Sequence, residues 1–288
     1  MIAFFDFIES LQYGFMQNAV AATLLTCIAC GIIGVFVVTK KIVSLTGGIS
    51  HASFGGVGLS YFLGLDPLLG LLPFSILSAI VLGFVSKKTK VSEDTAIGIL
   101  WSLGVAAGVI FIYLTPGYAP DLMTYLFGNI LTVPSSDIYL MVAIDLIIIF
   151  VVLLLFKEFV ALCFDEEYTE VSGLPSNALY IILLCLIALS VVAMIKVVGM
   201  ILIIAMLTIP ASISRKFTYD IRKMIVLSSI IGMILGFSGL ALSYIFDMPS
   251  GAMIIICMGF VYLIISGLFS LKEKYLRKNP KKINKEPN

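Results

Sequence analysis

The sequence predicts an all-α protein, a polytopic bundle of transmembrane helices, and three observations carry that prediction. First, apolar residues make up 60% of the 288 residues, while Asp, Glu, Lys and Arg make up only 12%. That is about half the charge of an ordinary soluble domain. A soluble surface of this composition would expose large apolar patches, whereas lipid solvates them. Second, the apolar residues are gathered into runs, and mean hydropathy is +1.14. Several runs reach the roughly 20 residues that a helix needs to cross about 30 Å of hydrocarbon. Third, the basic residues fall between these runs with an alternation that orients a membrane protein.

The runs near 15–38, 49–65, 68–86, 94–114, 137–157, 177–195, 197–213, 221–246 and 252–271 read as spans. Some are short or glycine-rich, so the expectation is about eight to nine crossings in one membrane domain over residues 1–271. Met1 to Ser10 carries Asp6 and Glu9 without a basic leader, and reads as a short interfacial helix rather than a cleavable signal. Asp121 to Thr132 reads as an amphipathic helix packed at the outer face. Residues 272–288 form a basic tail, expected to be disordered from Pro280 onward.

With nine crossings, Lys40, Lys41, Lys87, Lys88, Lys90, Lys157, Arg215, Lys216, Arg222, Lys223 and the tail all fall on one side, with Lys196 the exception. The positive-inside rule makes that side the cytoplasm, so the N-terminus is expected outside and the C-terminus inside a plasma membrane. The opposite side carries Asp66, Asp121 and Asp247. The net charge of +1 implies no polyelectrolyte partner. The five cysteines, Cys27, Cys30, Cys163, Cys185 and Cys257, are odd in number and show no disulfide spacing. They read as small buried hydrophobes, with Cys163 expected on a loop. Cys27 and Cys30 share a helix face, which is also the arrangement of a pair of soft metal ligands.

Few residues in such a chain can carry chemistry. His51 is the sole histidine, within Ser50-His51-Ala52 at the start of a glycine-rich run. An ionisable group at that place is costly in lipid and belongs on a protein interior or a water-filled path, and imidazole suits first-row metals. Gly47, Gly48, Gly55 and Gly56 allow close helix approach and let carbonyls line a narrow path. Asp145 lies inside an apolar run, where an acid must be protonated, hydrated or paired. The stretch Asp165-Glu166-Glu167…Glu170…Gly173 is polar, reads as a short helix stopped by Gly173 and Pro175, and suits docking of a soluble partner. The chain contains no Walker A loop, no zinc-hydrolase or serine-hydrolase motif and no potassium-channel filter.

Taken together, several segments resemble the manganese/zinc/iron permeases of ABC importers, the ABC-3 family, from about residue 15 to 271. They are Gly34–Lys41, Ser50-His51-Ala52 with its following glycines, Tyr125–Leu131, Phe164–Leu174, Lys196–Ala211 and Leu242–Ala252. The resemblance implies a type II importer-like permease that works as a homodimer with the path between subunits. It implies two cytoplasmic ATPase subunits that bind ATP, an extracytoplasmic metal-binding protein, and no enzyme activity in this chain. It implies transient passage of zinc, manganese or iron, with no permanently bound cofactor. His51, Ser50 and Asp145 would belong to the metal path, and Asp165, Glu166, Glu167, Glu170 and Gly173 to the coupling segment. One departure stands out. Many members have an aspartate one helical turn before this histidine, and here the position is Gly47. Two other readings stay open on the residues alone: a permease for a metal chelate such as haem, cobalamin or a siderophore, and an ion-coupled secondary transporter. The single histidine on a narrow glycine-rich helix favours a bare ion over the first, and the absence of an internal repeat disfavours the second.

Overall fold

The computed structural model describes residues 2–88, 91–116, 128–200 and 203–278, and the regular structure among the described residues is helical throughout. In chain order these are α1 (Ile2–Ser10), α2 (Gly14–Lys40), α3 (Val43–Ala52), α4 (Phe54–Phe62), α5 (Pro67–Lys88) and α6 (Glu93–Leu114). After a single 3-10 turn at Ile130–Thr132 come α7 (Ser135–Leu154), α8 (Phe156–Phe164), α9 (Glu166–Val171), α10 (Ser176–Val198), α11 (Ile203–Phe217), α12 (Ile221–Phe246) and α13 (Ser250–Lys278). Side-chain caps fix several starts. Ser92 accepts from Thr95 N (3.3 Å) at α6, and Asp220 accepts from Arg222 N (2.9 Å) at α12.

Among the described residues seven helices, α2, α5, α6, α7, α10, α12 and α13, are long and apolar enough to cross a bilayer, against an expected count of eight to nine, and the chain is a multi-pass membrane protein. The other two expected spans, 49–65 and 197–213, hold no single helix of that length. The first is divided into α3 and α4, which meet at Ser53. There Ser53 Oγ donates to Ile49 O (2.6 Å) and accepts from Ser75 Oγ (2.7 Å). The second contains α11, which is described over 15 residues. Gly199, at φ 76°, caps the end of α10, and α11 is described from Ile203. Most of the amphipathic helix expected over 120–132, and the tail from Pro280, lie outside the described residues. Residues 272–278 continue α13. Cys163 is buried within α8 rather than on a loop, and all five cysteines are free thiols.

The centre of the bundle is α2 and α10. Each is 72% buried over its most apolar stretch, against 11–33% for the other five spans. Outward-facing Leu103, Phe150, Leu153, Ile234, Phe260 and Leu263 are exposed apolar side chains on those outer helices, the surface that lipid covers. One end of the bundle is basic: Lys40 and Lys87 meet at Glu166, Arg215 donates to Val38 O (3.4 Å), and the Arg222 guanidinium lies 5.2 Å from the Phe156 ring. At the other end Asn18 Nδ2 donates to Val133 O (3.2 Å), and Ser243 Oγ donates to Met248 O (2.5 Å) beside left-handed Asp247.

Small residues set the tightest contacts. Gly56 of α4 lies against Gly70 of α5, and Gly58 lies against Gly108 of α6, so α4 sits between two backbones. A Cβ at Gly58 would overlap the Gly108 carbonyl, which cannot move without its helix. A Cβ at Gly98 would meet nothing within 4 Å. Gly58→Ala is therefore expected to destabilise the protein by about 1–3 kcal/mol. Gly98→Ala should be neutral or stabilising, since alanine is the better helix former. Thermal unfolding in detergent measures both, and equal losses for the two variants would contradict the packing described.

Candidate functional site

The turn that delivers His51 is tight. Lys41 takes a left-handed conformation (φ 64°), its N–H bonds Val37 O, and the chain re-enters the bundle as α3 within two residues. His51 lies in the last turn of α3, half-buried. Its ring stacks on Trp101 of α6 with centroids 3.9 Å apart and planes 8° apart. These are the chain's sole histidine and sole tryptophan. The stack fixes the imidazole plane and leaves its two nitrogens at the ring edge, where a proton or a cation is held.

The neighbouring residues divide between this site and its supports. Gly47 shares the site: a Cβ there would meet Ile204 Cδ1 at 2.9 Å and Trp101 Cζ3 at 3.7 Å. Gly48 packs on Ile97 and Leu82, Gly55 on Phe74 and the Gly104 carbonyl, and Gly56 on Gly70 and Phe74. Ser50 is turned to the α10–α11 connection, where its Oγ donates to Met200 O (3.1 Å). Asp145 sits elsewhere, on α7, which packs against α2 and α10. It is 4% exposed, and neither carboxyl oxygen has a hydrogen-bond partner. In the same α2–α10 seam, Cys30 Sγ lies 2.8 Å from Met194 Sδ. Among the described residues no cluster of three or more His, Cys, Asp or Glu side chains could hold a metal ion. His51 and Asp145 are thus not parts of one ready-made shell within a single chain.

The coupling segment forms α9. Asp165 caps it by accepting from Tyr168 N (2.9 Å). Its end is a Schellman turn: Gly173, at φ 82°, donates to Glu170 O, and Leu174 donates to Thr169 O. Glu167, Tyr168, Glu170 and Val171 are exposed. Glu166 is turned inward. One carboxylate oxygen takes Lys40 Nζ at 2.9 Å and the other takes Lys87 Nζ. Lys40 also donates to Leu162 O (2.9 Å), and Lys87 lies 4.7 Å from the centre of the Tyr180 ring. Burial pushes the Glu166 carboxyl up, but the hydrogen bonds from Lys87 and Lys40, with their charges, outweigh it and hold the group below the usual carboxylate range.

Sequence reasoning missed Trp101, and it took Lys40 and Lys87 only as topology markers. A signal for Trp101 was present. Tryptophan concentrates at membrane interfaces, yet Trp101 stands about two turns inside α6.

The depressed Glu166 value sets the sign of a pH effect. The ion pair contributes stability above the usual carboxylate range and loses it as pH falls through the lowered value. The stability difference between wild type and Glu166→Gln is therefore expected to be constant through neutral and mildly acidic pH and to vanish only in strong acid. Thermal midpoints against pH for both proteins check this, and a difference that disappears near neutrality would contradict it.

Residues 12–268 match the ABC 3 transport family. A membrane protein of Synechocystis sp. is 45% identical over 89% of this chain and 92% of its own length. The manganese transport system membrane protein MntC of Listeria innocua is 36% identical over 96% of this chain and 99% of its own. Among solved structures, PsaBC from Streptococcus pneumoniae in complex with Fab superposes with a TM-score of 0.82 at 33% identity, over 92% of this chain and 95% of that one. With a family match over most of its length and relatives above 30% identity on both measures of coverage, this chain belongs to the ABC 3 transport family.

Proposed function

We propose that this chain is the membrane-spanning permease subunit of an ATP-driven importer for a bare divalent transition metal ion, with manganese favoured over zinc and iron. The observation that carries the reading is the sole imidazole, stacked on Trp101 next to Ala52, where α6 meets α3 in a glycine-to-backbone contact at Gly104. The names of relatives support the cargo: Listeria innocua MntC is a manganese transport system membrane protein, and a Chlamydia pneumoniae relative at 35% identity is a probable metal transport system membrane protein. A single imidazole among closely packed glycine-rich helices suits a small ion rather than a chelate.

In this reading two copies of the chain face each other, and His51 from each, with backbone carbonyls and water, completes the coordination that one copy lacks. Ser50 holds α3 to the α10–α11 turn, and Gly47, Gly48, Gly55 and Gly56 keep the passage narrow. Asp145 supplies a buried acid along the way. The basic end faces the cytoplasm, where Glu167, Tyr168, Glu170 and Val171 of α9 dock one of two ATPase subunits, with Asp165 and Gly173 fixing the ends of that helix. An extracytoplasmic metal-binding protein delivers the ion to the other end. The chain itself performs no hydrolysis, and ATP is bound by its partner.

ATP-dependent uptake of radioactive manganese by the reconstituted complex tests the site. His51→Ala is expected to lower uptake by at least about tenfold, since even second-shell partners of a metal act on that scale. Asp145→Asn should also lower it. Wild-type uptake in His51→Ala would remove His51 from the path. The sole tryptophan gives a direct readout on the chain alone. Paramagnetic manganous ion bound at His51 is expected to quench Trp101 emission in wild type and to leave His51→Ala unchanged. Equal quenching in both would place the ion elsewhere.

A further inference from the structure

The acids of α9 do two different things. Glu167 and Glu170 face outward, whereas Glu166 spans the gap between two transmembrane helices, with one oxygen on the last residue of α2 and the other on the last turn of α5. These two helix ends lead to the two halves of the candidate site. From Lys40 only Lys41 and Ile42 intervene before α3, which carries His51. From α5 a short connection leads to α6, which carries Trp101, and Ser86 of α5 bonds Glu93 at the start of α6. Lys40 is bound at the same time to the Leu162 carbonyl of α8, and Lys87 lies over the Tyr180 ring of α10. An exposed ion pair would contribute little. This one is half-buried, and without its carboxylate it would leave two ammonium groups facing each other across the same gap.

We propose that Glu166 is a positioning residue for transport, a latch by which α9 grips the ends of α2 and α5, so that a displacement of α9 shifts α3 against α6 at the His51–Trp101 stack. The inference rests on the proposed function, in which α9 is the segment a nucleotide-hydrolysing partner moves. It assigns the outward residues to docking and Glu166 to transmission. A bistable contact that both sites bias is the physical requirement for such coupling.

The test is the number of manganese ions moved per ATP hydrolysed by the reconstituted complex of this chain with its nucleotide-hydrolysing subunit. Glu166→Gln is expected to lower that ratio by about tenfold, within the range that residues between coupled sites command. Glu166→Asp, which keeps the charge, should recover most of it. Lys87→Met, which cuts one arm and keeps the apolar stem, should lower the ratio by a smaller factor and serves where Glu166→Gln fails to assemble. A wild-type ratio in Glu166→Gln or in Lys87→Met overturns the latch while leaving the permease reading intact. If the wild-type complex moves no manganese on hydrolysing ATP, the permease reading itself fails and the latch with it.

Discussion

In hydrocarbon no water is available to a peptide group, and a backbone N–H or C=O left unpaired there costs several kcal/mol. That constraint selects helices for the long apolar runs of this chain and governs the places where helix is interrupted. The junction at Ser53 is hydrogen-bonded through Ser53 and Ser75, and the connection after α10 is met by Ser50, whose hydroxyl reaches the Met200 carbonyl. Irregular backbone within a membrane domain is tolerated where protein lines it, and such places are where transporters build their binding sites. His51 stands two residues before the first of these interruptions, and Ser50 bonds directly to the second.

The same constraint explains the placement of small residues. Apolar side chains gain little by leaving lipid for another helix, so association rests on close van der Waals contact. Gly31 and Gly34 let α12 and α11 approach the central helix α2, and Gly56 and Gly58 let α4 lie between α5 and α6. The imidazole–indole stack is a consequence of this packing, because Gly104 and Gly108 bring α6 onto Ala52 and Phe54, on either side of Ser53 and close to His51. At the basic end the packing gives way to charge, and Glu166 gathers two lysines from separate helices into one contact.

Much of this was legible in the sequence for physical reasons. Span position follows from apolar run length, so α2, α12 and the other long helices lie within a few residues of the runs that announced them. The capped, glycine-stopped α9 follows from Asp165 and Gly173, whose chemistry is local. Two of the expected spans are not single long helices, because hydropathy registers apolar length and not where a helix is interrupted, here at Ser53 and Gly199. The site was half legible. A lone histidine in an apolar chain is conspicuous, but its stacking partner lies 50 positions away in another helix, and nothing local pairs them. Glu166 was singled out among its acidic neighbours only by the structure, since which acid of a short helix turns inward depends on the lysines opposite it. Asp145 was conspicuous too, and the structure places it in the α2–α10 seam rather than beside His51.

In the proposed function this bundle is a conduit, driven by a separate nucleotide-hydrolysing subunit. The most direct measurement is uptake of radioactive manganese, presented outside with the metal-binding protein, into vesicles holding either the purified chain alone or its complex with the nucleotide-hydrolysing subunit, each with and without internal ATP. Uptake is predicted only for the complex, and only with ATP. Accumulation of manganese against its gradient by the chain alone would contradict the claim outright.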